Sequence, residues 1–262
     1  MKTSRVCFSL AVLLVVCPVG CATRSSTRAT FNALVFSKTL LYRHASITNG
    51  IVAIKKLGEE NNFHVDATED ASWFTPEILA RYQVVIFLST SGDVLNDDQQ
   101  TAFRNFIESG RGLAAIHAAV AGGVATEGGW PWYGEALCAR FTNHSHIVEA
   151  TVDIEDSKNP STMGLPRHWV RRDEWYNFIS SPRGKAHILA SLDETTYKGG
   201  TMHGDHPVAW CKKMGKGRVW YTALGHTEAS FTELLFLKHM LGGILEAAGV
   251  KPADFKPRPI PR

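Results

Sequence analysis

The sequence predicts a single doubly wound α/β domain with a mainly parallel sheet. Two short segments, VVIFL at Val84–Leu88 and GLAAI at Gly112–Ile116, are apolar without interruption. Such runs belong to parallel strands covered on both faces. Segments of helical spacing alternate with them, which means βαβ units. Composition agrees: 44% hydrophobic, 20% charged and 22 glycines in 262 residues is ordinary globular usage.

Taken in order, residues 31–37 (FNALVFS) open the fold as a buried strand. Residues 49–61 place Ile51, Ile54 and Leu57 on one helical face. Residues 64–68 form a second strand and Val84–Leu88 a central one. Asn96, with Gln99 three residues on, is a capping-box start for a helix whose inner stripe is Phe103, Phe106 and Ile107. GLAAI follows. Residues 122–134 then read as a long Gly/Trp/Pro loop. Strand-like stretches recur at 146–154, 187–192 and 207–214. Met214-Gly215-Lys216-Gly217 turns the chain into a further strand at 218–224. An amphipathic helix spans 231–248, and the domain closes at 250. The Pro-rich tail, 251–262, should lie extended on the surface.

The first 21 residues read as an export signal: Lys2 and Arg5, then an apolar run at 6–19 too short to span a membrane. It ends in Pro18-Val19-Gly20-Cys21, which resembles a bacterial lipobox, with Cys21 the lipidated residue. Residues 22–30 would tether the domain to that anchor. The expected location is therefore the periplasm or an outer-membrane lipoprotein, touching the membrane through the lipid alone. About 240 residues remain for the mature chain, enough for one well-buried domain. With 28 Lys+Arg against 25 Asp+Glu and no basic run, nucleic-acid binding is excluded. Cys138 and Cys211 are the only cysteines beyond the signal; they could pair in an oxidising compartment, and two lone buried thiols is the simpler reading. Nothing in the sequence sets the oligomeric state.

Ligands of doubly wound sheets bind beyond the carboxyl ends of the strands. His117 directly follows GLAAI, His226 follows the strand ending in Leu224, and Arg43 and His44 follow the first strand. Three strand ends thus deliver a histidine to one edge. Asp173 and Glu174 lie in the polar and aromatic stretch DEWY. With His117 and His226 they form the candidate catalytic set. Trp130, Trp132, Trp175, Tyr176, Arg43 and His44 are the candidate substrate-binding set, because flat rings stack on pyranose faces while polar groups hydrogen-bond hydroxyls.

The set RHASI, GLAAIHAA, Phe141-x-x-His144, DEWY, HPVAW and GRVWYTALGH resembles the ThuA-like (trehalose utilisation) family, in the right order across residues 31–248. The resemblance implies a flavodoxin-like, class I glutamine amidotransferase-like fold and a role in carbohydrate metabolism, with oxidised (3-keto) glycosides as context. Amidotransferases of this fold carry a nucleophilic Cys at a strand-to-helix elbow. Here the elbow reads Ile116-His117-Ala118-Ala119, so neither a thioester nor glutaminase activity is expected. His226-Thr227-Glu228 keeps the His-x-Glu spacing, with Glu228 as a possible orienting partner. Two mechanisms remain open. One is a divalent metal on some of His117, His146, His206 and Glu174; the other is metal-free acid/base chemistry beside a keto group. The expected function is an envelope hydrolase, lyase or isomerase acting on a small keto-glycoside. The alternative is a non-catalytic carbohydrate-binding lipoprotein.

Overall fold

The computed structural model describes residues 30–121 and 130–259. The signal, the lipobox with Cys21, nearly all of the tether, and the stretch 122–129 lie outside the described residues. The first half runs β1 (Asn32–Phe36), α1 (Ile47–Glu60), β2 (His64–Thr68), α2 (Pro76–Leu79), β3 (Val84–Leu88), α3 (Asp97–Glu108) and β4 (Gly112–Ile116). The second runs α4 (Pro131–Leu137), β5 (Phe141–His144), β6 (Val148–Ile154), β7 (His168–Asp173), β8 (Tyr176–Phe178), β9 (His187–Asp193), β10 (Pro207–Met214), β11 (Gly217–Thr222) and α5 (Leu234–Ala247).

Nine strands form one sheet in the order β2-β1-β3-β4-β11-β10-β9-β6-β7, and β5 pairs with β8 in a separate ribbon. From β2 to β11 neighbouring strands are parallel. Those five have the 2-1-3-4-5 order of flavodoxin-like sheets. From β11 onward every pairing is antiparallel. Every residue of β3 and β4 is buried, as continuous apolar runs demand. Helix α1 packs with α5, and α2 packs with α3, which right-handed crossovers place on opposite faces. Helix α3 starts at the expected capping box: the Asn96 side chain accepts from Gln99 N, and the Gln99 side chain accepts from Asn96 N, each at 3.0 Å. Gly243 lets α5 lie directly on β11, since a Cβ there would fall 2.1 Å from the Trp220 ring.

The second half departs from the expectation at α4 and at strands β5, β7 and β8, which the sequence does not predict. Residues 131–137 are a helix rather than loop, because Pro131 starts a turn that buries Trp132, Tyr133, Ala136 and Leu137. Strand β7 was not anticipated. It alternates strictly, but its inward residues are Trp169, Arg171 and Asp173, so hydrophobicity hides it. The tail is extended and held down: His187 Nδ1 donates to Lys256 O at 2.8 Å, and Arg258 N donates to Ala186 O at 3.0 Å. Cys138 and Cys211 are buried, unpaired thiols. Among the described residues no helix is long and apolar enough to cross a membrane.

Candidate active site

The parallel half brings three histidines to one edge of the sheet. His117 is the first residue after β4 and sits at φ +52°, a left-handed backbone that non-glycine residues rarely hold. This is the elbow, with an imidazole where a nucleophile would stand. His226 follows β11 beyond Gly225, and His44 lies between β1 and α1. The antiparallel half supplies the fourth group, because β7 ends by turning Glu174 back over the same edge.

One ligand atom from each of His44, His117, Glu174 and His226 falls within 4.8 Å of all the others. His117 Nδ1 donates to Ala223 O at 2.7 Å, which leaves its Nε2 lone pair facing the cluster. That Nε2 is 3.2 Å from His226 Nδ1 and 3.6 Å from Glu174 Oε2. His226 Nδ1 is 3.1 Å from the same carboxylate oxygen. The buried His44 ring meets His117 and His226 edge-on, with centroids 4.7 and 5.0 Å away. Its Nδ1 is buried and has no hydrogen-bond partner among the described residues.

Charge follows from this packing. Burial, reinforced by the charges of His117 and His226, pushes the His44 pKa down from 6.5 to about 3, so the ring is neutral. Burial raises the Glu174 pKa, but the neighbouring His117 and His226 rings outweigh it and hold the carboxyl well below the usual carboxylate range. Burial lowers the His226 pKa, and its hydrogen bond to Glu174 overcomes that for a net rise. The cluster thus holds one firm anion, a neutral His44 ring, and a His226 ring whose protonated form Glu174 favours.

A cavity of about 490 Å³ opens beside the cluster, lined by Leu41, Tyr42, Phe141, Tyr176 and His144 together with His44, Glu174 and His226. The Tyr176 ring lies 4.3 Å from that of His117. Of the expected residues, His117, His226, Glu174, His44 and Tyr176 come together here. Others do not. Asp173 is fully buried behind the site, where its carboxylate accepts from Gly225 N, His226 N and Glu174 N at 2.8, 3.0 and 3.0 Å. It positions the turn that carries His226 and does not face the cavity. His206 is fully buried with both nitrogens committed, Nε2 to Tyr176 O at 2.8 Å and Nδ1 to Glu194 at 3.0 Å, so it offers no lone pair to a metal. His146 is exposed and outside the cluster.

The tryptophans went to packing because large rings gain most from burial. Trp175 donates to Val148 O and Trp132 to Glu108, while Trp130 stacks on Tyr133. Arg43 pairs with Glu69 on the exposed surface at 2.7 Å. Glu228 is also exposed, and Glu174 takes the role of orienting His226. The sequence marks Phe141 and His144 only as motif residues of the family, and gives neither them nor Tyr42 a place in the site. The β5–β8 pairing, which sets His144 opposite Tyr176, is what selects His144 over its neighbour His146.

A family model described as trehalose utilisation, ThuA, matches residues 32–246. The chain belongs to the ThuA family. A ThuA-like protein of Bacteroides uniformis has a similar structure, with a TM-score of 0.71 and 25% identity over 84% of this chain and 92% of that one. A ThuA-like protein of Parabacteroides merdae is similar in fold, with a TM-score of 0.68 and 20% identity over 86% and 92%. A beta-galactosidase from Bacillus circulans shares the fold alone across 31% of its length, with a TM-score of 0.55 and 12% identity. No curated protein matches. The ThuA fold is class I glutamine amidotransferase-like, and in this ThuA protein the elbow of that fold carries His117. ThuA membership places the chain in carbohydrate metabolism.

Proposed function

We propose that this protein is a metal-dependent enzyme of sugar catabolism, a hydrolase, lyase or isomerase acting on a keto-glycoside at the His44–His117–Glu174–His226 cluster. The carrying observation is the inward Nε2 of His117, fixed by Ala223 O at 2.7 Å within reach of two further imidazoles and a carboxylate. Metal-binding histidines take their orientation from a bond of this kind on the other nitrogen. Three nitrogens and one oxygen suit zinc or a neighbouring first-row divalent ion. Such an ion would polarise a sugar carbonyl or lower the pKa of a water. The apolar walls from Leu41, Phe141 and Tyr176 suit the C–H faces of a sugar ring.

Elemental analysis after loading with zinc, followed by turnover assays on keto-glycosides, tests this reading. One equivalent of ion is expected, lost in Glu174→Gln and His226→Ala, with activity removed by a chelator and restored by metal. A wild-type protein that retains no ion, or an activity indifferent to chelation, would sink it. The same reading sets the enzyme in the cell envelope, held through Cys21.

A further inference from the structure

We propose that His144 is the catalytic acid–base of this site, exchanging a proton with the substrate through its Nε2; the inference rests on the metal-dependent reading above. His144 Nδ1 lies 2.8 Å from Ser145 O and 3.0 Å from Glu174 Oε1. Both are acceptors, so Nδ1 carries the proton and donates to them. The remaining lone pair of the neutral ring is then on Nε2. The side chain is 46% exposed and lines the cavity, and on this assignment a substrate there meets that lone pair.

The carboxylate divides its two oxygens. Oε2 faces His226 and His117 at 3.1 and 3.6 Å, while Oε1 holds His144. One group therefore serves the ion on one side and sets the tautomer of a base on the other. The other cavity histidines, His44 and His226, belong to the cluster, and an ion would occupy their lone pairs. His144 keeps one. Phe141 and Tyr176, with ring centroids 6.1 and 6.0 Å away, set it in a largely apolar wall.

The step is proton abstraction beside a keto group. The C–H bond breaks, its electron pair becomes the C=C bond of an enolate, and the proton rests on Nε2. That proton trades with solvent on the half-exposed ring, and the ring then returns a proton to carbon, or passes one to a leaving oxygen as its C–O bond breaks. Nothing is oxidised or reduced.

Deuterium exchange into methyl 3-keto-glucoside, followed by NMR in heavy water with the zinc-loaded protein, tests the assignment. Wild type should exchange the hydrogen beside the ketone. His144→Gln, which keeps an N–H for Glu174, should exchange about 10²–10⁴-fold more slowly, with its zinc content and KM unchanged. Exchange by His144→Gln at the wild-type rate, or no exchange by zinc-loaded wild type, overturns the assignment. Zinc failing to bind the wild type at all would instead count against the metal reading, and a loss of zinc in His144→Gln would make His144 a ligand rather than the base.

Discussion

His117 turns Nε2 inward because its Nδ1, 2.7 Å from Ala223 O, is committed to that carbonyl. Its backbone at φ +52° costs about 1–2 kcal/mol for a residue with a Cβ. His117→Gly should therefore be more stable than His117→Ala, by about 1 kcal/mol in urea denaturation, although both lose the ion. The pH dependence follows from the neighbouring rings. His44 takes up a proton near 6.5 when unfolded but only at about 3 when folded. The unfolded chain thus binds more protons between those values, and stability falls as pH falls through that window. His239, brought to about 4 by burial, acts in the same direction. The raised pKa of His226 acts oppositely: its stabilisation is complete below 6.5 and is lost as pH rises through the folded value. Urea midpoints of metal-free protein between pH 6.5 and 4.5 should consequently fall less steeply in His44→Gln than in wild type. An unchanged slope would show that His44 is not held neutral.

At the scale of elements, β7 decides whether Glu174 reaches the site. Its inward Arg171 lies 3.1 Å from Asp173 and 3.2 Å from Glu233, donates to Ser230 at 2.9 Å, and stacks on Trp169 and Phe236. Replacing it with Met leaves Asp173 buried with its three backbone donors but no charged partner, at a cost of up to about 3–5 kcal/mol. Because Asp173 holds the backbone of Gly225 and His226, Arg171→Met should also weaken zinc binding, read by calorimetry. Unchanged affinity would mean that the turn holds itself. This strand also marks where the sequence stops being legible. β3, β4 and α3 could be read because their burial is apolar and their caps are local. β7 buries an ion pair, and α4 is short and flanked by glycine and proline. His117 and His226 were identifiable from their places after strands. His206 stands in a similar setting at a strand start, and only its partners, Tyr176 O and Glu194, reveal that both nitrogens are taken.

At the scale of the whole molecule, the parallel half supplies His44, His117 and His226, whereas the antiparallel half supplies Glu174, Tyr176 and His144. Export should be separable from this chemistry. Cys21→Ser is expected to move the protein from the membrane fraction to a soluble or unprocessed form while leaving zinc content intact, and continued membrane attachment with normal processing would remove the anchor. The two halves meet in one continuous sheet at the β10–β11 pairing, and the cluster spans from one to the other above it. An ion bound there would act as a second fastening. It would stabilise the native state by about 4 kcal/mol at a thousandfold excess over its Kd, and the segment from β7 to β8 would gain most, since opening it would break a metal bond. Amide hydrogens around Glu174 would then exchange with solvent on the slow schedule of global unfolding rather than of local fraying, so the metal would set how long the end of β7 stays in place as well as what the site can catalyse.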